Sequence, residues 1–285
     1  LGYNHAITTN RKGFVMDDTI LHKIKSLPPL DETVLEIQRI CTDKNSSLGE
    51  LVKVVESDPM LTANILKSAN SPLYGFSREI KSISHAISLF GMATVRGFAL
   101  SSAIKQSMQI NLSPYRLSNS HFQEISTLQS ALMFNWYSKV DRELLDILVP
   151  ASFMMEVGKV VLSHVLLEKG ADSAFSTAIS GIKTIQELSS LEFEIHGITN
   201  EEVTAKIFEQ WNLETELLEA IRFSTDADLA PKKIRPLALA LQVVKTAANI
   251  FSQCSDDSIQ QAVELLQKHG LDTTQFLQAT EKLNQ

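Results

Sequence analysis

Seven histidines, two cysteines and scattered carboxylates are the residues able to hold a metal or move a proton. The histidines are His5, His22, His85, His121, His164, His196 and His269, and no two stand closer than His5 and His22. No single helix can therefore carry the paired-histidine H-E-x-x-H arrangement of zinc hydrolases. Asp18/His22 and His121/Glu124 have spacings that share a helix face, but two ligands do not hold an ion, and surface pairing is the expectation for both. His85 lies on a short helix that buries Ile83 and Ile87, so a partly buried, hydrogen-bonded imidazole is expected there. Cys41 and Cys254 are far apart and form no metal-like pair. Nucleophile-elbow, phosphate-loop and dinucleotide motifs are all absent.

The elements around these residues read as helices. The stretch Ser57–Gly97 holds three boundaries. Asp58-Pro59 starts a helix, because the carboxylate accepts from first-turn N–H groups and proline needs no donor there. Asn70-Ser71-Pro72 with Gly75 stops it. Ser82 then caps Ile83 to Phe90, a helix with Ile83, Ala86, Ile87 and Phe90 on one face, ended by Gly91. Elsewhere Leu27-Pro28-Pro29-Leu30 is a stiff break, Asp31 caps the next helix, and Asp17 or Asp18 caps the first. Capping boxes are read at Ser47–Glu50, Thr184–Glu187 and Thr199–Glu202. Helices are expected over Ala93–Gln109 and His121–Val140. A segment capped by Asp141 is interrupted at Pro150, Ala151–Lys169 follows, and a long helix runs to Cys254. No segment alternates with a period of two, so the class is all-α. Residues 1–15 form a loose arm, 16–112 one helical lobe, and 118–285 a second, with the break at Ile110–Asn119 around Pro114.

The 285 residues, 44% hydrophobic and 21% charged, suit a globular protein with a sizeable core. A net charge of −7 disfavours nucleic acid as a partner. Lys232, Lys233 and Arg235 read as a solvated loop. The most apolar run, Leu144–Met155, contains Asp146 and Pro150 and is too short for a membrane span. The opening residues lack the apolar core of a secretory signal, and a cytoplasmic location is the expectation.

Taken together, Leu27-Pro28-Pro29-Leu30, Asp58-Pro59, Asn70-Ser71, Ile83 with Ala86-Ile87, and Gly91 resemble the HDOD domain family. These are bacterial signalling proteins related to the metal-dependent HD phosphohydrolases. Asp31 stands where the family often has a further proline. The resemblance implies one HDOD-like unit whose C-terminal lobe is a degenerate HD fold. In catalytic HD proteins, one helix supplies a His, a later one an adjacent His-Asp, and a last one an Asp. Here the matching positions hold Ser126, Met155-Glu156 and Asn249, and the extra histidines of the phosphodiesterase branch fall on Asn200 and the Phe223-Ser224-Thr225 region. Only Glu156 is a suitable ligand, so no cofactor and no catalytic residue are expected. Gly158, one residue past Val157, implies a close helix contact, and Glu156 is read as either paired with a buried cation or lining a residual pocket.

These readings imply a non-enzymatic signal-transduction scaffold, or regulatory interaction module, that binds a protein partner, with or without a nucleotide second messenger. The alternative is a divergent phosphohydrolase acting on a nucleotide or cyclic dinucleotide. The candidate interaction loop is Asn70, Ser71, Leu73, Tyr74 and Phe76, whose aromatic residues either anchor a partner or plug the gap between the lobes.

Overall fold

A computed structural model describes residues 18–43, 45–107 and 109–283. The N-terminal arm, with His5 and Asp17, lies outside them. The fold is all-α. Among the described residues, the only β pairing is the single antiparallel bridge Ala248–Gln253. The first helices are α1 (Asp18–Lys25), α2 (Glu32–Thr42), α3 (Leu48–Glu56), α4 (Pro59–Ala69), α5 (Ile83–Phe90) and α6 (Met92–Ser107). Their caps follow the sequence. Asp31 accepts from Val34 N–H at 2.8 Å, Ser47 and Glu50 close a reciprocal box, and Ser82 accepts from His85 N–H. The Asp58 carboxylate takes both Met60 N–H and Leu61 N–H, at 2.9 and 3.0 Å. His85 itself is exposed, because the stripe of Ile83, Ala86, Ile87 and Phe90 turns it outward.

The second half comprises α7 (Asn119–Val140), α8 (Leu145–Met154), α9 (Gly158–Glu168), α10 (Asp172–Ile179), α11 (Ile185–His196), α12 (Asn200–Gln210), α13 (Thr215–Arg222), α14 (Arg235–Ala247), α15 (Asp256–Lys268) and α16 (Thr274–Leu283). Three boundaries differ from the sequence reading. Pro150 lies inside α8 and does not interrupt it. It sits at the crossing with α6, where a Cβ on Gly97 would come within 2.7 Å of the proline Cβ. The interruption falls instead at 155–157, ahead of α9. Asp141 accepts from Glu143 N–H in the preceding turn and does not cap α8. The helix expected to reach Cys254 stops at Ala247, because the Asn249 amide takes the carbonyls of Lys245 and Thr246 and its oxygen accepts from Phe251 and Ser252 N–H.

Apolar side chains from both halves join in one continuous core. α6 packs against α8, α1 lies on α9 and α12, and α16 covers α7 and the 3-10 turn Pro72–Tyr74. Trp211 Nε1 donates to Pro28 carbonyl at 3.4 Å, and Gln38 donates to Asn212 carbonyl at 3.0 Å, tying the proline break to the end of α12. Among the described residues, no single helix is long and apolar enough to cross a membrane.

Candidate functional site

The positions matched to the HD ligands lie inside the second half. Ser126, on α7, is buried, and Gln129, one turn later, reaches further in. Gln129 Nε2 donates to Ala248 carbonyl at 2.8 Å and to Glu156 Oε1 at 3.3 Å. Met155 is fully buried in the break between α8 and α9, and its carbonyl accepts from Asn200 Nδ2 at 3.0 Å. Asn200 opens α12. Its amide nitrogen also reaches Glu156 and Glu201, and its side-chain oxygen accepts from Lys159 N–H at 3.0 Å. Thr204 Oγ1 accepts from Gly158 N–H at 2.8 Å. The first donors of α9 are thus satisfied by side chains of α12. This docking demands glycine, since a Cβ on Gly158 would sit 2.3 Å from the Asn200 carbonyl oxygen. Asn249 is committed to its own turn.

Five charged side chains meet at this point: Glu156, Lys159 of α9, Glu192 of α11, Glu201 of α12 and Lys245 of α14. None is more than 3% exposed. Lys159 Nζ bonds Glu156 and lies 3.9 Å from Glu192. Lys245 Nζ bonds Glu201 and lies 3.7 Å from Glu156. Tyr115 donates to Glu192 Oε1 at 3.0 Å, and Asn200 N–H to Oε2 at 2.8 Å. Charges this deep persist only when paired and hydrogen-bonded.

The surroundings split the three carboxyls. Burial would raise Glu201, but the Lys245 and Lys159 ammonium groups overrule it and hold the carboxyl far below its usual range. Glu156 is lowered in the same way, its burial outweighed by Lys159 and Lys245. Glu192 goes the other way, pushed up to about 7 by burial, with the Lys159 ammonium only partly opposing it and the Glu201 charge adding to it. Burial would lower Lys245, yet Glu156 and Glu201 carry it above the usual lysine range. With Glu192 protonated, two carboxylates face two ammonium groups and the cluster is neutral.

The residues present do not fit a divalent cation. The space among the carboxylates is taken by two ammonium groups, and a metal entering there would meet two fixed positive charges. What remains is a cavity of about 10 Å³ beside Glu156, Glu192 and Lys245, room for about one water molecule. Among the described residues, no group of three or more His, Cys, Asp or Glu is placed to hold a metal.

Glu156 was visible in the sequence, and its paired, buried state is one of the two readings weighed there. Lys159, Glu192, Glu201, Lys245, Gln129 and Tyr115 were not singled out as site residues. Lys245 left a signal, since it occupies the apolar stripe of α14, four residues after Leu241 and three before Ala248, both fully buried. Glu201 was absorbed into a capping box that the structure does not close. Thr199 accepts from Glu202 N–H, while the Glu202 carboxylate pairs with Arg222 and Lys206.

In the candidate interaction loop, Tyr74 is fully buried, its hydroxyl donating to Ser130 Oγ at 2.9 Å. Its ring meets Phe90 at 4.7 Å and Phe134 at 5.9 Å between centroids. Leu73 and Phe76 are half-buried against the same core and Ser71 is half-exposed. Asn70 clamps the loop, exchanging hydrogen bonds with both Ile80 N–H and Ile80 carbonyl. Of the two readings of this loop, Tyr74 thus takes the plug and not the exposed anchor.

Comparison with known proteins places this geometry. The family model for the HDOD domain matches residues 27–227. A virulence factor of Campylobacter jejuni is 26% identical, with a TM-score of 0.58 over 94% of this chain and 100% of that one. A Shewanella amazonensis protein named provisionally as a phosphohydrolase is 19% identical, with a TM-score of 0.71 over 93% of each chain. An HDOD domain protein of unknown function from Geobacter sulfurreducens is 16% identical, with a TM-score of 0.56 over 93% of this chain and 97% of that one. The chain spans 41% of the length of the curated relative it matches, an uncharacterized protein of Treponema pallidum (strain Nichols) that is 22% identical over 231 residues. With the family model matching well over half of its length, this chain belongs to the HDOD domain family.

Proposed function

We propose that the protein is a non-catalytic signalling module that acts by binding a protein partner. The observation that supports this best is the pair of buried lysines, Lys159 and Lys245, among the three carboxyl groups of Glu156, Glu192 and Glu201. Hydrolysis of a phosphoester by an HD-type mechanism needs a bound cation to activate water and offset charge. Here that positive charge is built into the chain, on groups that offer no open coordination position. Family membership adds the signalling role.

Protein purified without a histidine tag is expected to hold no stoichiometric transition metal and to cleave no phosphodiester above background, with or without added Mn²⁺. Stoichiometric metal, together with turnover abolished by Glu156→Ala, would overturn the proposal. Capture of a protein from native lysate, mapped by cross-linking to one face, tests the partner.

A further inference from the structure

A groove of about 540 Å³ lies directly outside the charge cluster, between the start of α11 and the turn that joins α14 to α15. It shares Ile185, Asn249 and Phe251 with the small cavity beneath it. Its size is that of a small-molecule site.

The lining is chemically selective. Nine of the fourteen residues carry only a hydroxyl or a carboxamide, and the two charged ones, Lys183 and Asp257, cancel. Ser252, Ser255 and Ser258 form a linked row, Ser252 Oγ lying 2.8 Å from each of the other two hydroxyls. The exposed Gln186 donates its Nε2 to Thr225 carbonyl at 3.3 Å, so its side-chain oxygen is the group left to serve as an acceptor. Ile185 and the half-buried Phe251 give the floor an apolar surface, and the Phe251 ring meets no other aromatic ring among the described residues. In contrast, the rings of Tyr74, Phe90, Phe98 and Phe134 are packed on one another.

We propose that this groove binds an uncharged molecule joining a planar heterocycle to a hydroxyl-bearing ring, the chemistry of a nucleoside. The ring stacks on Phe251, and the Gln261 carboxamide pairs with its edge, since an amide offers a donor and an acceptor side by side. The Ser252 and Ser255 hydroxyls meet the sugar, the buried Ser258 behind them donating to Ala247 carbonyl. A phosphorylated form is disfavoured. The two lysines nearest the groove floor are held by Glu156 and Glu201 below it, the Lys183 charge acts on the Glu187 carboxylate, and Asp257 adds a negative charge to the lining. The inference rests on the non-catalytic reading in one respect: the ligand is sensed and not consumed.

The experiment titrates the full chain with each of the four ribonucleosides, their 5′-monophosphates and sucrose, following the side-chain amide signals of Gln186, Gln253 and Gln261 by NMR. At least one nucleoside is expected to shift these signals saturably, its monophosphate to bind about tenfold more weakly, and sucrose to leave them unmoved. Phe251→Ala should weaken the nucleoside about tenfold. Should that variant unfold, Gln261→Ala, at an exposed position of α15, carries the test and is expected to weaken it too. A monophosphate that binds more tightly, sucrose that binds as well, or no saturable shift overturns the proposal. Chromatography of the recovered nucleoside separates the two readings. Conversion overturns the non-catalytic function and leaves the site, whereas no binding and no conversion overturns the site and leaves the function.

Discussion

Glu192 and Lys245 show how differently two buried charges of one cluster respond to pH. The Glu192 carboxyl stands at about 7 in the folded chain against 4.5 unfolded. Between those values the folded state keeps a proton that the unfolded state releases, so stability falls as pH rises through this window. Glu192→Gln should remove that slope, narrowing the difference between denaturation at pH 5 and pH 8 by roughly 3 kcal/mol at most. Glu156 and Glu201 have the opposite sign, since their lowered carboxyls stabilise the fold above the usual carboxylate range and that contribution is lost as pH drops through their folded values. Lys245→Met strands Glu201 in the core and leaves Glu156 with Lys159 alone. It should cost about 3–5 kcal/mol at pH 7, with a smaller deficit near pH 4, where the stranded Glu201 can take up a proton; urea denaturation at the two pH values checks this. The sequence disclosed Glu156 because it sits beside a recognisable doublet position. It did not disclose Glu192 or Lys245, whose meaning depends on which distant helix they face.

Local chemistry governs the helices, and most of their starts were legible for that reason. Asp31, Ser47, Asp58, Ser82 and Thr184 cap helices as their types and spacings require. Asp58→Ala should cost about 1 kcal/mol while leaving the far-ultraviolet circular dichroism nearly unchanged, measured as a shift in denaturation midpoint. One misread boundary depends on a tertiary neighbour, and the others on polar side chains that bond their own turns. Pro150 is tolerated where Gly97 meets it, and α14 ends early because Asn249, rather than a glycine or proline, turns the chain. The seam between α9 and α12 is the tightest of these meetings. Gly158→Ala should destabilise by about 1–3 kcal/mol or more, because the obstructing atom is a backbone oxygen at 2.3 Å and not a movable side chain. Thermal unfolding of this variant beside Gly49→Ala, where a Cβ meets only Ser47 Oγ at 3.9 Å, separates crowding at α9 from the general effect of losing a glycine.

Across the whole molecule the two halves are fastened by one aromatic cluster and by the last helix. Tyr74 reaches α7 through Ser130, Asn135 of α7 donates to Leu73 carbonyl at 3.1 Å, and Lys282 of α16 donates to Asn135 Oδ1 at 2.8 Å. Tyr74→Ala should therefore cost about 3–5 kcal/mol, and the parent should unfold in one transition when Trp136 fluorescence and far-ultraviolet circular dichroism are followed together. Two transitions in the parent would show that the halves fold separately. The all-α class was legible from periodicity alone. The fastening was not, since Tyr74 lies in a loop whose composition suits an interface as well as a plug.

The five-membered charge cluster also bears on how this sequence can change. Its members come from four separate helices and one turn, and each balances at least one other. A single exchange toward a metal ligand, such as histidine at Met155, adds a donor to a space still filled by ammonium groups. A single loss of lysine leaves carboxylates stranded before any ion is there to meet them. Either first step lowers stability, and only concerted exchanges restore balance, so the substitutions are strongly non-additive. The arrangement works as a ratchet: once both lysines are in place, a path back to a metal centre through single, tolerated substitutions is closed.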